Sequence, residues 1–300
     1  MTYPTGEQYD IAHGAQAATV TELGAGLRRY AVGGRDVAAG YEADAAVKGG
    51  RGQQLLPWPN RIRDGRYTFG GVAQQLVLSE PKRNNASHGL VRYVPWTLVE
   101  HAAASVTQRV RVYPQPGWSG TLEATLTHQL TEDGLGVTIE VTNLGKVAFP
   151  FGYGAHPYLT VGEDQVDDVA LTVPAVSRLE VDERLLPVAL SEVTGTPADL
   201  RGGEAVDDRL LDSAYTGLER AADGRWRARL ERAGRWAELW ADASFDWIQV
   251  FTGDDRRDIG IALEPMTCGP DAFNPGPTHD GMRVLEPAQT FSAQWGVSGG

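Results

Sequence analysis

Apolar and polar residues alternate with a period of two over most of this 300-residue chain, the pattern of strands with one buried face. The clearest pair lies mid-chain. Leu122, Ala124, Leu126 and Leu130 share one face, Thr131-Glu132-Asp133-Gly134 turns the chain, and Leu135, Val137, Ile139 and Val141 share one face of the return strand. Such strands belong to an antiparallel sheet, where a one-residue slip would expose the whole apolar set. Further strands are expected over Gly24–Val32, Arg35–Val37 and Ser105–Tyr113. Arg66–Phe69 and Val72–Leu76 flank Gly70-Gly71, a strong hairpin signal. Trp226, Ala228 and Leu230 alternate, followed by Trp236–Trp240 beyond the Ala233-Gly234 turn. Trp247–Phe251, Ile259–Leu263 and Phe291–Val297 complete the set.

No long stretch has helical spacing, and only Glu204–Leu211 suggests a turn or two of helix. No linker, repeat or low-complexity tract divides the chain. The reading is all-β: one domain over residues 1–300, a large sandwich of antiparallel sheets. Two packed sandwiches are the competing arrangement.

Charge narrows the function classes. The net charge of −12 argues against nucleic acid and anionic membranes as partners, since both attract basic surfaces. The single cysteine, Cys268, allows neither an intrachain disulfide nor a cysteine-based zinc site. The opening MTYPTGEQYD lacks a basic segment and an apolar core, and no apolar run reaches membrane-spanning length. A soluble, cytoplasmic protein is expected, as monomer or homodimer.

Five stretches depart from the strand pattern and carry polar chemistry, which tends to sit on loops held by a rigid sheet. In Ile261–Asn274 the apolar run carries one acid, Glu264, and stops at Pro265, which places the carboxylate at a strand end beside an ordered loop. Leu55–Gly65 is stiffened by two prolines and carries Arg61, whose forked donors suit hydroxyl or carboxylate oxygens. Pro81–Trp96 holds His88 after Asn84 and Asn85; polar side chains beside Trp96 suggest a sugar site with an aromatic face. Phe149–Leu159 sets His156 in an apolar run, which fits a satisfied core histidine or one lining a pocket. Asp246–Asp254 places Gln249 on a strand among apolar neighbours, so its amide needs a structural partner or a ligand.

Nucleotide, phosphate-loop, zinc-protease and serine-hydrolase signatures are all missing. His88 and His156 with an acid could bind a metal, but their lone positions lack a ligand signature. No metal or cofactor is expected.

Arg61 in NRI, His88 in HG, His156 in AHPY, Gln249 in IQVFTG and Glu264 in LEPM occur in the order seen in aldose 1-epimerases. The chain resembles that galactose-mutarotase-like family over nearly its whole length, including ELGAGLRRYAVGGRDV near the start. The resemblance implies a β-sandwich with a monosaccharide in an open cleft on its sheet. It gives Glu264 the role of general base and His156 that of general acid. Arg61, His88 and Gln249 would hold sugar hydroxyls and the ring oxygen, and Asp212 in LLDSAYTGL matches the binding aspartate on a weaker motif. Two contexts depart from the usual ones, GAHPYL around His156 and His88-Gly89-Leu90. SHGLVRYVPW is similar to a bacterial subgroup that includes sulfoquinovose mutarotases. Arg83 and Arg92 could serve an anionic sugar or lie on the surface.

Exchanging anomers requires the C1 hydroxyl to lose a proton while the ring oxygen gains one. A carboxylate and an imidazolium meet both needs and end the cycle unchanged, so no cofactor is required. The pair is expected to face across a gap one pyranose wide and to give a bell-shaped pH profile. Two rivals remain at this stage. A glycoside hydrolase would need a second acid about 5–9.5 Å from Glu264, with Asp212 or Asp271 available. A non-catalytic sugar-binding module would explain Trp58 and Trp96.

Overall fold

The computed structural model describes residues 2–162, 166–253 and 260–300. The mid-chain hairpin forms as its pattern dictates. Leu122–Thr131 and Gly134–Asn143 pair in unbroken register from Leu122↔Asn143 to Thr131↔Gly134. Their inward residues are buried and their outward ones half-exposed. This hairpin sits in a 9-stranded sheet ordered Thr97–Ala102, Ser105–Val112, Leu122–Thr131, Gly134–Asn143, Thr290–Gly299, Arg235–Ala241, Trp226–Arg232, Ala170–Thr172 and Glu204–Ala205.

A 12-stranded sheet faces it. Its main path runs Gln8–His13, Gln16–Thr21, Leu27–Val32, Arg35–Ala38, Tyr158–Leu159, Ile261–Met266, Trp247–Phe251, Asp212–Leu218, Ala175–Val181 and Pro187–Glu192. Two short strands, Gly154–Ala155 and Gln54–Leu55, branch from Ile261–Met266. Pairing between the named strands is antiparallel throughout. One contiguous apolar cluster joins Val20, Leu27 and Tyr30 of this sheet to Leu126, Val137 and Trp295 of the other. Burying each such aliphatic side chain contributes roughly 1.5–3 kcal/mol, so the sandwich core is the main source of stability.

Two central strands position the site. Trp247–Phe251 and Ile261–Met266 pair with Gln249 opposite Glu264. Ile248, Val250, Ile261 and Leu263 enter the inter-sheet core. Because successive side chains point to opposite faces, Gln249 and Glu264 emerge on the outer face. Small apolar clusters flank them there: Leu179, Ala214, Trp247 and Met266 on one side, Ala39, Tyr158 and Ala262 on the other.

Several expectations change. The strand expected over Gly24–Val32 begins at Leu27; Gly24, with φ +69°, and Ala25, with φ +44°, turn the chain before it. The Gly70-Gly71 hairpin is present, with both glycines at positive φ and Phe69 opposite Val72. Glu204–Leu211 is not helical: Glu204–Ala205 pairs with Ala170–Leu171, and Asp207 takes a left-handed φ of +51°. The strand expected from Ile259 to Leu263 is seen from Ile261 to Met266, and Ile259, like Asp254, lies outside the described residues. Glu264 is therefore inside the strand, not at its end, because Pro265 is accommodated opposite Ile248. Trp58 and Trp96 are core residues, 3% and 1% exposed, so neither presents an aromatic face to a sugar.

Candidate active site

One cleft of about 420 Å³ on the outer face is lined by all six residues singled out in the sequence: Arg61, His88, His156, Asp212, Gln249 and Glu264. This volume falls in the usual range for small-molecule sites, roughly 300–1,000 Å³. A larger groove of about 590 Å³ lies over Leu90, Val94 and Arg109–Tyr113. It holds no histidine, and its Arg109 and Arg111 are both paired to its own Glu123. The chemistry converges on the smaller cleft.

His156 Nε2 lies 3.2 Å from Glu264 Oε1, and both side chains are nearly sealed from solvent. They touch directly and do not stand one pyranose apart. A base for a sugar's C1 hydroxyl and an acid for its ring oxygen would need this side-by-side placement, because both oxygens are bonded to the same carbon. The His156 ring stacks on Tyr158 at 5.3 Å and meets His88 edge-on at 5.6 Å. Its backbone is pinned by bonds to Gln53 and Gly52. Gly50 makes room for the ring; a Cβ there would stand 2.9 Å from His156 Cδ2.

Burial raises the Glu264 carboxyl well above its ordinary range, reinforced by the charge of Asp212 and opposed by Arg61 and Arg92. Burial likewise holds His88 well below the usual histidine range, with the charges of Arg92, His156 and Arg61 acting the same way. Asp212 is raised by burial, against the charges of Arg61 and Arg83 and the Gln249 hydrogen bond. Buried titratable groups with shifted proton affinities gathered in one cleft mark a candidate functional site.

The loops supply the remaining side chains. Arg61–Arg63 pairs with Asn85–Ser87, bringing Arg61 and His88 to the same wall. Arg61 donates to both oxygens of Glu80, from Nε at 2.8 Å and Nη2 at 3.1 Å. Arg83 adds a third contact at 3.0 Å. Burial works against ionising Glu80, but the bonds and charge of Arg61 prevail and hold it below its ordinary range. Gln249 donates to Asp212 at 2.6 Å.

Sequence reasoning missed Asn60, Glu80, Tyr93 and Phe251, which also line the cleft. Glu80 and Asn60 each sit one residue from a stretch or residue it had marked. The exposed aromatic at the cleft is Tyr93, 62% exposed, in place of Trp96. Arg83 and Arg92 both line the cleft and are not idle surface arginines. Arg92 makes no ion pair among the described residues; its guanidinium lies 5.1 Å from the Tyr93 ring centre. Asp271 lies outside the cleft lining, bound to the Arg63 amide and Asn274. His88, His156 and Glu264 place one ligand atom each within 4.8 Å of one another, a grouping the sequence did not assign to a metal.

Comparisons with known proteins give the class to which this fold belongs. A family profile described as aldose 1-epimerase matches residues 7–298. The chain belongs to the aldose 1-epimerase family, whose members are isomerases. It is 30% identical to the Escherichia coli K12 protein YihR over 273 residues, covering 91% of this chain and 87% of that one. It is 25% identical to YphB of the same organism over 245 residues, covering 80% of each. Among solved structures, a galactose mutarotase-like protein from Clostridium acetobutylicum superposes with a TM-score of 0.86 at 19% identity, covering 97% of this chain and 94% of that one. A GalM/aldose epimerase homologue from C. elegans gives 0.85 at 19% identity, covering 98% of each. At these identities the structural likeness speaks for the fold.

Proposed function

We propose that this aldose 1-epimerase interconverts the α and β anomers of a monosaccharide with Glu264 as general base and His156 as general acid. The observation that carries the assignment is the 3.2 Å contact between His156 Nε2 and Glu264 Oε1 on the cleft wall. Glu264 takes the proton of the C1 hydroxyl as His156 gives one to the ring oxygen. The C1–O5 bond breaks, C1 becomes an aldehyde carbon, and rotation about C1–C2 turns its other face to the hydroxyl. The same pair then works in reverse. Proton transfer by each positioned group is worth on the order of 10²–10⁴ in rate. Arg61, His88, Asp212 and Gln249 bind the sugar's oxygens. The hydrolase rival would release an aglycone; the mutarotase releases nothing.

A specific observation favours an aldose that carries an anionic group. Arg92 lines the cleft without an anionic partner among the described residues, whereas Arg61 and Arg83 are both engaged by Glu80. A guanidinium in that setting suits a sulfonate, phosphate or carboxylate. Anomer exchange followed by NMR across glucose, galactose, their 6-phosphates and sulfoquinovose tests both points. Accelerated exchange of any sugar supports the reaction, and none on any sugar overturns it. Preference for the anionic sugars, lost in Arg92→Gln, supports the arginine's part; equal rates on neutral sugars contradict it.

A further inference from the structure

Asn60 hydrogen-bonds to three of the six site residues, His88, Arg61 and Gln249. It is 3% exposed and held at a left-handed φ of +52°. Its backbone N–H donates to His88 Nδ1 at 3.2 Å, and its carbonyl accepts from the His88 backbone N–H at 2.7 Å. Its side-chain Oδ1 accepts from Arg61 Nη1 at 3.3 Å. Its Nδ2 donates to Gln249 Oε1 at 3.3 Å, and Gln249 Nε2 donates in turn to Asp212 Oδ1 at 2.6 Å.

We propose that Asn60 is the positioning residue of the cleft: its main chain keeps the His88 proton on Nε2, and its carboxamide turns Gln249 so that an N–H faces Asp212. This rests on the reaction proposed above only for its kinetic consequences. A backbone amide can only donate, so Nδ1 of His88 must be bare, and a neutral ring then carries its hydrogen on Nε2. The side-chain half follows by the same logic. A guanidinium only donates and a carboxylate only accepts, so the chain from Arg61 through Asn60 and Gln249 to Asp212 has one direction. Turning the Asn60 amide over would set its NH₂ against Arg61 and its oxygen against that of Gln249.

Two consequences concern recognition. The sugar atom that meets His88 must accept a hydrogen bond, and the hydroxyl that meets Asp212 must donate one. The grouping of His88, His156 and Glu264 is also a poor metal cage, because the His88 nitrogen left for an ion carries a hydrogen.

The decisive readout is the tautomer. Long-range ¹H–¹⁵N NMR of the wild-type protein should show His88 with a bare Nδ1 and a protonated Nε2, and 1 mM ZnCl₂ should leave those signals in place. A protonated Nδ1, or zinc-induced loss of the pattern, would overturn the proposal, whatever the activity. Two variants test the side-chain half. Asn60→Gly tolerates the positive φ and keeps the amide N–H, so the tautomer should persist while KM rises about tenfold, more than kcat falls. Asn60→Asp cannot donate to Gln249 Oε1, so Gln249 turns its oxygen to Asp212. KM should then rise at least as far at neutral pH. It should recover as pH falls and Asp212, which Arg61, Arg83, Glu80, Gln249 and Glu264 surround, takes up a proton. Wild-type KM and pH dependence in Asn60→Asp would sink it. Absence of anomer exchange in the wild type would instead count against the reaction and leave the tautomer result standing.

Discussion

Two histidines of this protein are almost equally hidden and chemically opposite. His128 is 0% exposed and His156 5%. His128 lies in the inter-sheet core, opposite Val106 on one neighbouring strand and Val137 on the other, and neither ring nitrogen has a hydrogen-bond partner among the described residues. Burial alone pushes it down to about 3, so it stays neutral. His156 lies on the outer face of the other sheet with a carboxylate 3.2 Å away. A histidine buried alone stays neutral, whereas one buried beside a carboxylate has a group with which a proton can be shared, the arrangement on which the proposed mechanism rests.

The largest expected effect separates these two residues. His156→Gln should lower the anomerisation rate on the order of 10²–10⁴, measured by polarimetry on a pure anomer, while His128→Gln leaves it near wild type. Equal losses in both variants would erase the contrast.

The next effect belongs to stability. The unfolded state protonates His128 near its ordinary 6.5, the folded state only near 3. Between those values the unfolded state binds more protons, so stability falls as pH drops from 6.5 to 3, by roughly 5 kcal/mol in all. Urea unfolding from pH 7 to 3 should show this slope, and His128→Leu should flatten it.

Gly50→Ala should cost about 1–3 kcal/mol, from its φ of +75° and a methyl 2.9 Å from His156 Cδ2. Activity should fall with stability, as the displaced imidazole leaves Glu264; thermal melts and initial rates check both.

A smaller effect runs the other way. The Glu264 carboxyl is raised in the folded state, so burying its ionised form opposes folding above its unfolded value near 4.5. Glu264→Gln should therefore be more stable than wild type at pH 7, and the gain should vanish below about pH 4.5, where both states are protonated. Unfolding curves at pH 7 and 4 decide this.

The alternation of Leu122–Val141 was enough to place a hairpin of one sheet, since period-two burial is a local property. The cleft residues were legible for another reason: Glu264, Gln249 and His156 interrupt apolar runs, and polar side chains there need partners. What the sequence hid was position in three dimensions. Asn60 looks like any turn residue beside a proline, yet a left-handed backbone aims its amide at His88. Trp96 looks like a sugar platform because of its polar neighbours, but it is packed into the main apolar core, and Tyr93 three residues earlier is the one exposed. His128 drew no notice at all, although it sits in an apolar file as complete as that of His156.

The most direct test of the paired acid and base is anomer exchange by NMR at saturating sugar in Glu264→Gln. A folded variant that still binds sugar but exchanges anomers at least about a hundredfold more slowly is the predicted result. Exchange near the wild-type rate would contradict the assignment of Glu264 as the base.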